Sequence, residues 1–290
     1  MMAAAASQSN VPWLLSAPAL VLYACFLLTP LGSVLLLSFH HFQLTADPQQ
    51  GLTLANYVEV LADGYFLEIY ARTFGVGLAI TLACAVFGTM EAYVLSRMAS
   101  PWRGIFLMIV LGPLLVSVVV RTLGWALLFG STGLISQAAM ALGLTDSAID
   151  LMYTNLGVGI ALVHVLIPFM VVAVWASLQR LNASTEAAAH SLGANSFLTM
   201  YRVILPQIAP GILAGSIMVF AMAVSAFATP AIIGGRRLKT VATAAYDEFL
   251  NTLNWPLGAS LAVILLISTT LVLLTTNRLI ERRFGAVFNG

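Results

Sequence analysis

The chain has 290 residues, of which 60% are apolar and 8% charged, with a formal net charge of +1. A soluble domain carries about 25% charged residues. Together with a mean hydropathy of +0.98, the composition excludes a water-soluble enzyme or binding domain, a disordered chain and a nucleic-acid-binding protein. An integral membrane protein remains. The apolar residues fall in long runs rather than short alternating segments, so the expected spanning elements are helices and not a β-barrel.

Met1 to Asn10 carry no Lys or Arg and show no cleavage site. The first apolar run is therefore read as a retained span, not a signal peptide. Six spans are predicted, at 13–39, 74–96, 105–129, 156–178, 208–233 and 257–276. Each is long enough for a hydrocarbon core of about 30 Å with some tilt. Between the first two, 52–70 reads as an amphipathic helix on the outer surface, with Leu54, Tyr57, Val58 and Leu61 at helical spacing.

The loops alternate in charge. One set holds Arg97, Arg103, Arg180, Arg202, Arg278, Arg282 and Arg283. The other holds the acids Asp47, Glu59, Asp63, Glu68, Asp146, Asp150, Asp247 and Glu248, and the cations Arg72, Arg236, Arg237 and Lys239. Seven cations against four place both termini in the cytoplasm, with the cluster at 236–239 running against the rule. Cys25 and Cys84 lie in apolar runs and read as small buried hydrophobes, not as a disulfide or a metal pair.

The cytoplasmic loop 179–207 is patterned. Residues 186–191 form a strong helix, with Ser184 as N-cap and Glu186 in the first turn, where the macrodipole favours an anion. Gly193 breaks it and permits a sharp turn. A helical pattern resumes at 196–204, with Phe197, Met200, Tyr201 and Ile204 on one side, and Pro206 and Pro210 punctuate entry into the fifth span. The product is a helix–turn–helix elbow with an apolar, aromatic face, able to transmit force as a rigid body.

Glu186, Ala187, Ala188, Gly193, Leu205 and Pro206 resemble the signature E-A-A-x-x-x-G-x(9)-I-x-L-P of permeases of ATP-binding-cassette (ABC) importers with the MetI-like, type I fold. Val120 to Trp125 (VRTLGW), Ala226 to Gly235 (AFATPAIIGG) and Asn254 to Ala259 (NWPLGA) are similar to segments of the PotB-type permeases of polyamine importers. The resemblance implies an all-α, polytopic fold of six transmembrane helices. It implies one permease domain over 1–290, with a MetI-like core at 70–277 and a coupling elbow at 179–207, in the bacterial inner membrane. It implies a homologous second permease subunit, two ABC ATPase subunits and a periplasmic substrate-binding protein as partners. Glu186, Ala187, Ala188, Gly193, Ala194, Phe197 and Met200 would couple to the ATPase: Gly193 as the docking tip, Glu186 facing a basic group, Phe197 and Met200 packing in its cleft. The chain has no G-x-x-x-x-G-K-[ST]. ATP and Mg²⁺ would belong to the partner ATPase, and this chain needs no cofactor, metal or catalytic residue.

Ionisable groups inside spans are functional candidates, because burying one in lipid costs at least about 2.5–3.5 kcal/mol. Glu91 could face the path, pair with Arg97 or snorkel to the interface. Arg121, with Trp125 one turn on, reads either as an outer gate or as an interfacial anchor. His164 reads as a hydrogen-bonded interhelical residue. Pro230 should kink the fifth span, with Ser225, Phe227 and Thr229 lining a path or gate, or simply packing a helix end. Tyr246, Asp247 and Glu248 read as a docking face for the binding protein or as a solvated helix. The expected cargo is a polyamine, with aminoethylphosphonate, amino-acid-like or iron substrates as alternatives. An ion-coupled secondary transporter is more remote, since no inverted repeat is evident. A membrane enzyme lacks support, since four scattered His residues give no metal spacing.

Overall fold

The computed structural model describes residues 11–42, 51–181 and 183–288. Asp47 and the N-terminal Met1 to Asn10 lie outside the described residues. Regular structure among the described residues is helical throughout. The elements are α1 (Val11–Leu37), α2 (Ala55–Ala62), α3 (Gly64–Arg97), α4 (Trp102–Leu111), α5 (Val118–Phe129), α6 (Leu134–Ala141), α7 (Asn155–Leu178), α8 (Ala183–Ser191), α9 (Ser196–Thr199), α10 (Leu205–Val224), α11 (Val241–Leu250) and α12 (Trp255–Phe288).

Six helical stretches among these residues are long and apolar enough to cross a membrane: Ser16–Leu37, Gly64–Arg97, Val118–Ala141, Asn155–Leu178, Ser196–Val224 and Trp255–Arg278. The number matches the sequence reading, but three elements differ from it. The predicted third span, 105–129, is not one helix. A 3-10 turn at Gly112–Leu115 separates α4 from α5. Pro113 cannot donate to a preceding carbonyl and crowds the turn before it, so the apolar run breaks there. The crossing-length stretch is instead Val118–Ala141, preceded by the shorter apolar Trp102–Leu115.

The predicted surface helix 52–70 ends at Ala62. Asp63 then caps α3, its side chain accepting from the Tyr65 amide at 2.9 Å, so α3 starts ten residues before the expected span. Its 34 residues make about 51 Å of helix, more than the hydrocarbon core needs.

The fifth span also breaks earlier than expected. α10 ends at Val224, and a π turn occupies Pro230–Gly234. Pro230 therefore does not kink a continuous helix. The Ser225 hydroxyl bonds back to the Ala221 carbonyl at 2.8 Å, and Pro230 has no N–H to carry the ladder across the gap. Proline then sits in the first turn of the new segment, where its missing donor costs nothing.

The chain divides into two compact units, 1–62 with 245–263 and 63–244 with 264–290. In the first, Asn56 of α2 is buried and donates to the carbonyls of Ser38 (2.9 Å) and His40 (2.8 Å) at the end of α1. Those carbonyls lack helical partners, and Ser260 also donates to Ser38, at 3.2 Å. Leu54, Val58 and Leu61 of the predicted amphipathic face remain exposed, and so do most apolar side chains of α1. Such a surface suits lipid, not water.

The core of the second unit is the packing of α3, α7 and α10. Ile80, Cys84, Leu166, Met170, Val174, Ile208 and Val219 are buried in it. Small residues let the backbones approach. Met170 of α7 lies between Gly88 of α3 and Gly215 of α10: a Cβ added at Gly88 would come within 2.8 Å of Met170 Cγ, and one at Gly215 within 2.6 Å of its Sδ. Gly88→Leu should therefore overpack the seam by about 1–3 kcal/mol. The expected result is a melting temperature in detergent lowered by several degrees; unchanged melting would contradict this packing.

Candidate coupling elbow and translocation path

α8 and α9 form a helical elbow after α7. Ser184 lies inside α8, not at its N-cap as the sequence suggested. Gly193 turns the chain with φ +85°, a conformation that strains any residue with a Cβ. The Leu192, Gly193 and Ala194 amides close the C-terminus of α8 onto the carbonyls of Ala188, His190 and Ala189 at 3.0–3.1 Å. Asn195, which sequence reading missed, caps the next helix by accepting from the Leu198 amide at 2.8 Å; an Asn directly before a helical run was the available signal.

The chain then passes through a π turn at Met200–Ile204 into α10, where the Leu205 amide bonds to the Met200 carbonyl. One extra residue in this turn accommodates Pro206, which cannot donate and would crowd a regular turn. From Leu205 to Val224, 20 residues give about 30 Å, enough for the bilayer core.

The apolar face of the elbow is split. Leu192, Phe197 and Tyr201 are 89%, 79% and 64% exposed. Ile204 is buried, and Met200 is half-buried, packing in part against the core. Ala187 and Ala188 are exposed, and Ala194 is half-buried. Leu192 had not been singled out from the sequence.

Glu186 is not turned outward. Its Oε2 accepts from Arg97 Nη2 at 2.6 Å, with the side chains 24% and 46% exposed. The Arg97 guanidinium also lies 5.0 Å from the Tyr93 ring centroid. Beneath the pair is a cavity of about 170 Å³ lined by Leu178, Thr185, Val203, Ile204 and Gln207. The spacing accounts for this orientation. The signature has three residues between its second Ala and its Gly, whereas four separate Ala188 from Gly193. Counted back from Gly193, Ala187 stands where the signature carries its acid. Glu186 is displaced by one position, about 100° around a helix, and meets the end of α3. Arg97, read from sequence as a cation that sets orientation and as a possible partner of Glu91, pairs with Glu186 instead.

A second constellation gathers around the two helix breaks. Arg121 Nη1 donates to the Pro113 carbonyl at 2.6 Å. That carbonyl also accepts from the Val116 amide at 3.2 Å, so Arg121 adds a second donor to it and ties α5 to the 3-10 turn before it. Arg121 Nε is buried with no hydrogen-bond partner among the described residues. The hydroxyls of Thr122 and Thr229 meet at 3.0 Å and join α5 to the segment after α10. Trp125 Nε1 donates to His164 Nδ1 at 3.1 Å, which fixes His164 as the neutral tautomer with its proton on Nε2. Trp125 also packs against Phe129, ring centroids 4.9 Å apart.

The structure therefore brings Arg121, Trp125 and Thr229 together with Thr122 and His164. Pro230 is buried, while Ser225 and Phe227 are exposed beside it. Glu91 is half-buried on α3, and no ion pair ties it to Arg97, which is committed to Glu186. On α11, Asp247 accepts from Asn251 at 2.8 Å and Glu248 from Thr252 at 2.6 Å, and Tyr246 is exposed. No group of His, Cys, Asp and Glu among the described residues could hold a metal.

Similarity to known proteins agrees with this architecture. The spermidine/putrescine transport system permease protein PotB of Escherichia coli K12 is 31% identical over 234 residues, covering 80% of this chain and 85% of that protein. PotB of Haemophilus influenzae is 29% identical over 265 residues, covering 89% and 91%. The fold matches a chain of a bacterial alginate ABC transporter, crystallised in complex with its alginate pentasaccharide-bound periplasmic protein, with a TM-score of 0.76 at 17% identity, covering 95% and 96%. Residues 75–285 match the family described as the binding-protein-dependent transport system inner membrane component, and the chain belongs to that family of ABC importer permeases.

Proposed function

We propose that this chain forms half of a translocation path for a polyamine, with a homologous permease as the other half. Two ATPase subunits would bind its elbow and hydrolyse ATP, and a periplasmic binding protein would deliver the cargo. Both termini then lie in the cytoplasm. The observation that carries the coupling role is the elbow: Leu192, Phe197 and Tyr201 stand exposed around a left-handed turn, outside the bilayer core, where bare apolar surface calls for a partner. The polyamine assignment rests on likeness to the PotB permeases over most of the chain.

In this reading the breaks around Gly112–Leu115 and 225–227 form the path, because irregular backbone at membrane depth belongs where it lines a cavity. Phe227 serves as a gate. Asp247 and Glu248 receive the binding protein: acids in the last turn of α11 oppose its macrodipole, a placement that a cationic partner would relieve.

The experiment is uptake of labelled spermidine by cells carrying the complete importer, challenged with excess putrescine, sulfate or 2-aminoethylphosphonate. Putrescine alone should compete. Competition by an anion instead would overturn the polyamine assignment. Phe227→Ala and Glu91→Gln should each change uptake kinetics several-fold with the complex still assembled. Unchanged kinetics would remove that residue from the path.

A further inference from the structure

The turn after the π segment carries Arg236, Arg237 and Lys239 within four residues. Together with Arg72 and Glu68 of α3 and Tyr65 they line a depression of about 120 Å³. Four of the chain's 12 Lys and Arg residues thus meet in one place, with one carboxylate among them. Glu68 is already ion-paired with Arg72.

This is not a loose run of surface charge, because the turn is held on several sides. Gly235 adopts φ +54°, and a Cβ there would fall within 2.8 Å of the Tyr153 ring. The Tyr153 amide donates to the Ile233 carbonyl at 2.8 Å, and Arg237 lies over the same ring at 5.4 Å from its centroid. Arg72 Nη1 reaches the Lys239 carbonyl at 3.4 Å. The Val241 amide donates to Thr73 Oγ1 at 3.0 Å. Arg236 and Arg237 are exposed on this fixed frame.

We propose that this basic turn is a docking surface for an acidic patch on a soluble protein. On the reading above, which fixes the outer side and on which this inference rests, that protein is the periplasmic binding protein. Three features favour a protein over an anionic lipid headgroup. Arg72 is 25 residues from Arg97 along α3, about 37 Å of helix, which carries the cluster past a hydrocarbon core of about 30 Å towards water. Arg72 and Arg237 are held by internal contacts, on a turn fixed by its backbone, which suits carboxylates at set positions; lipid-binding basic segments work by summed attraction near the surface. It also stands on the side where the distribution of Lys and Arg is otherwise sparse, so retention of the bilayer orientation does not call for it. Charges so placed act mainly on encounter rate and on specificity.

The test uses the complete transporter in nanodiscs and the importer's own binding protein loaded with spermidine. Arg236→Glu with Arg237→Glu should weaken binding roughly tenfold and flatten its dependence on salt from about 50 to about 300 mM, while basal ATPase activity without binding protein stays unchanged. Should the reversed variant fail to assemble, Arg236→Gln with Arg237→Gln should give the same direction of change with a smaller size. Wild-type affinity and salt slope in an assembled variant would overturn the proposal. So would an effect that follows the anionic lipid content of the nanodisc instead of the binding protein. Uptake intact in both wild type and variant sinks this surface alone; a wild-type complex that never imports sinks the importer reading and this surface with it.

Discussion

Reversing Arg97 to Glu is expected to cut ATP-driven uptake roughly tenfold, and adding Glu186→Arg to restore most of it, in the manner of a double-mutant cycle. The pair at 2.6 Å ties the last turn of α3 to the first turn of α8. On the proposed coupling role, it would seat the elbow on a core helix, so that elbow displacement would become displacement of α3. Each single reversal sets two like charges face to face at a partly buried point. The exchanged pair rebuilds the attraction with opposite polarity. Uptake and ATPase activity measured in the same proteoliposomes separate the roles. Rescue by the exchange identifies Glu186 as a residue that positions the elbow. Failure of rescue in a fully assembled complex would return Glu186 to direct contact with the ATPase.

Gly193 should give the second large effect, and its sign depends on the replacement. At φ +85° a β-branched residue is strained, by about 1–2 kcal/mol or more. No atom lies within 4 Å of an added Cβ, so the cost is one of backbone conformation and not of collision. Asn enters the left-handed region far more readily than Val. Gly193→Val should therefore abolish coupled transport while the helical core still folds, and Gly193→Asn should keep a substantial part of it. The measurement is the ratio of substrate imported to ATP hydrolysed. Equal loss in both variants would point to lost space at the tip, and equal activity would remove the turn from the coupling path.

The sequence was most legible where composition acts alone. Six crossing-length stretches follow from apolar length, and the Gly193 turn follows from a glycine between two helical patterns. It was less legible where side chains decide between continuing and ending a helix. Pro113 and Ser225 break apolar runs that hydropathy reads as continuous. Asp63 starts α3 inside a pattern that resembled one surface helix. The register of Glu186 was readable, since its spacing to Gly193 is in the sequence, but its partner was not: Arg97 lies 89 residues away. The meeting of Arg121, Thr122, Trp125, His164 and Thr229 likewise needed three separate segments in space. Read alone, Arg121 supports an anchor and a gate equally well, and His164 reads as an interhelical hydrogen-bonding residue.

The central claim is that this chain moves its cargo by the power of ATP hydrolysed in partner subunits and passed through the elbow. The most direct test is spermidine uptake into proteoliposomes holding the assembled importer, with ATP enclosed and the binding protein supplied on the opposite side. The account predicts uptake that requires both, persists when a protonophore collapses the ion gradient, and disappears with Gly193→Val. Uptake that proceeds without ATP and stops with the gradient would contradict it.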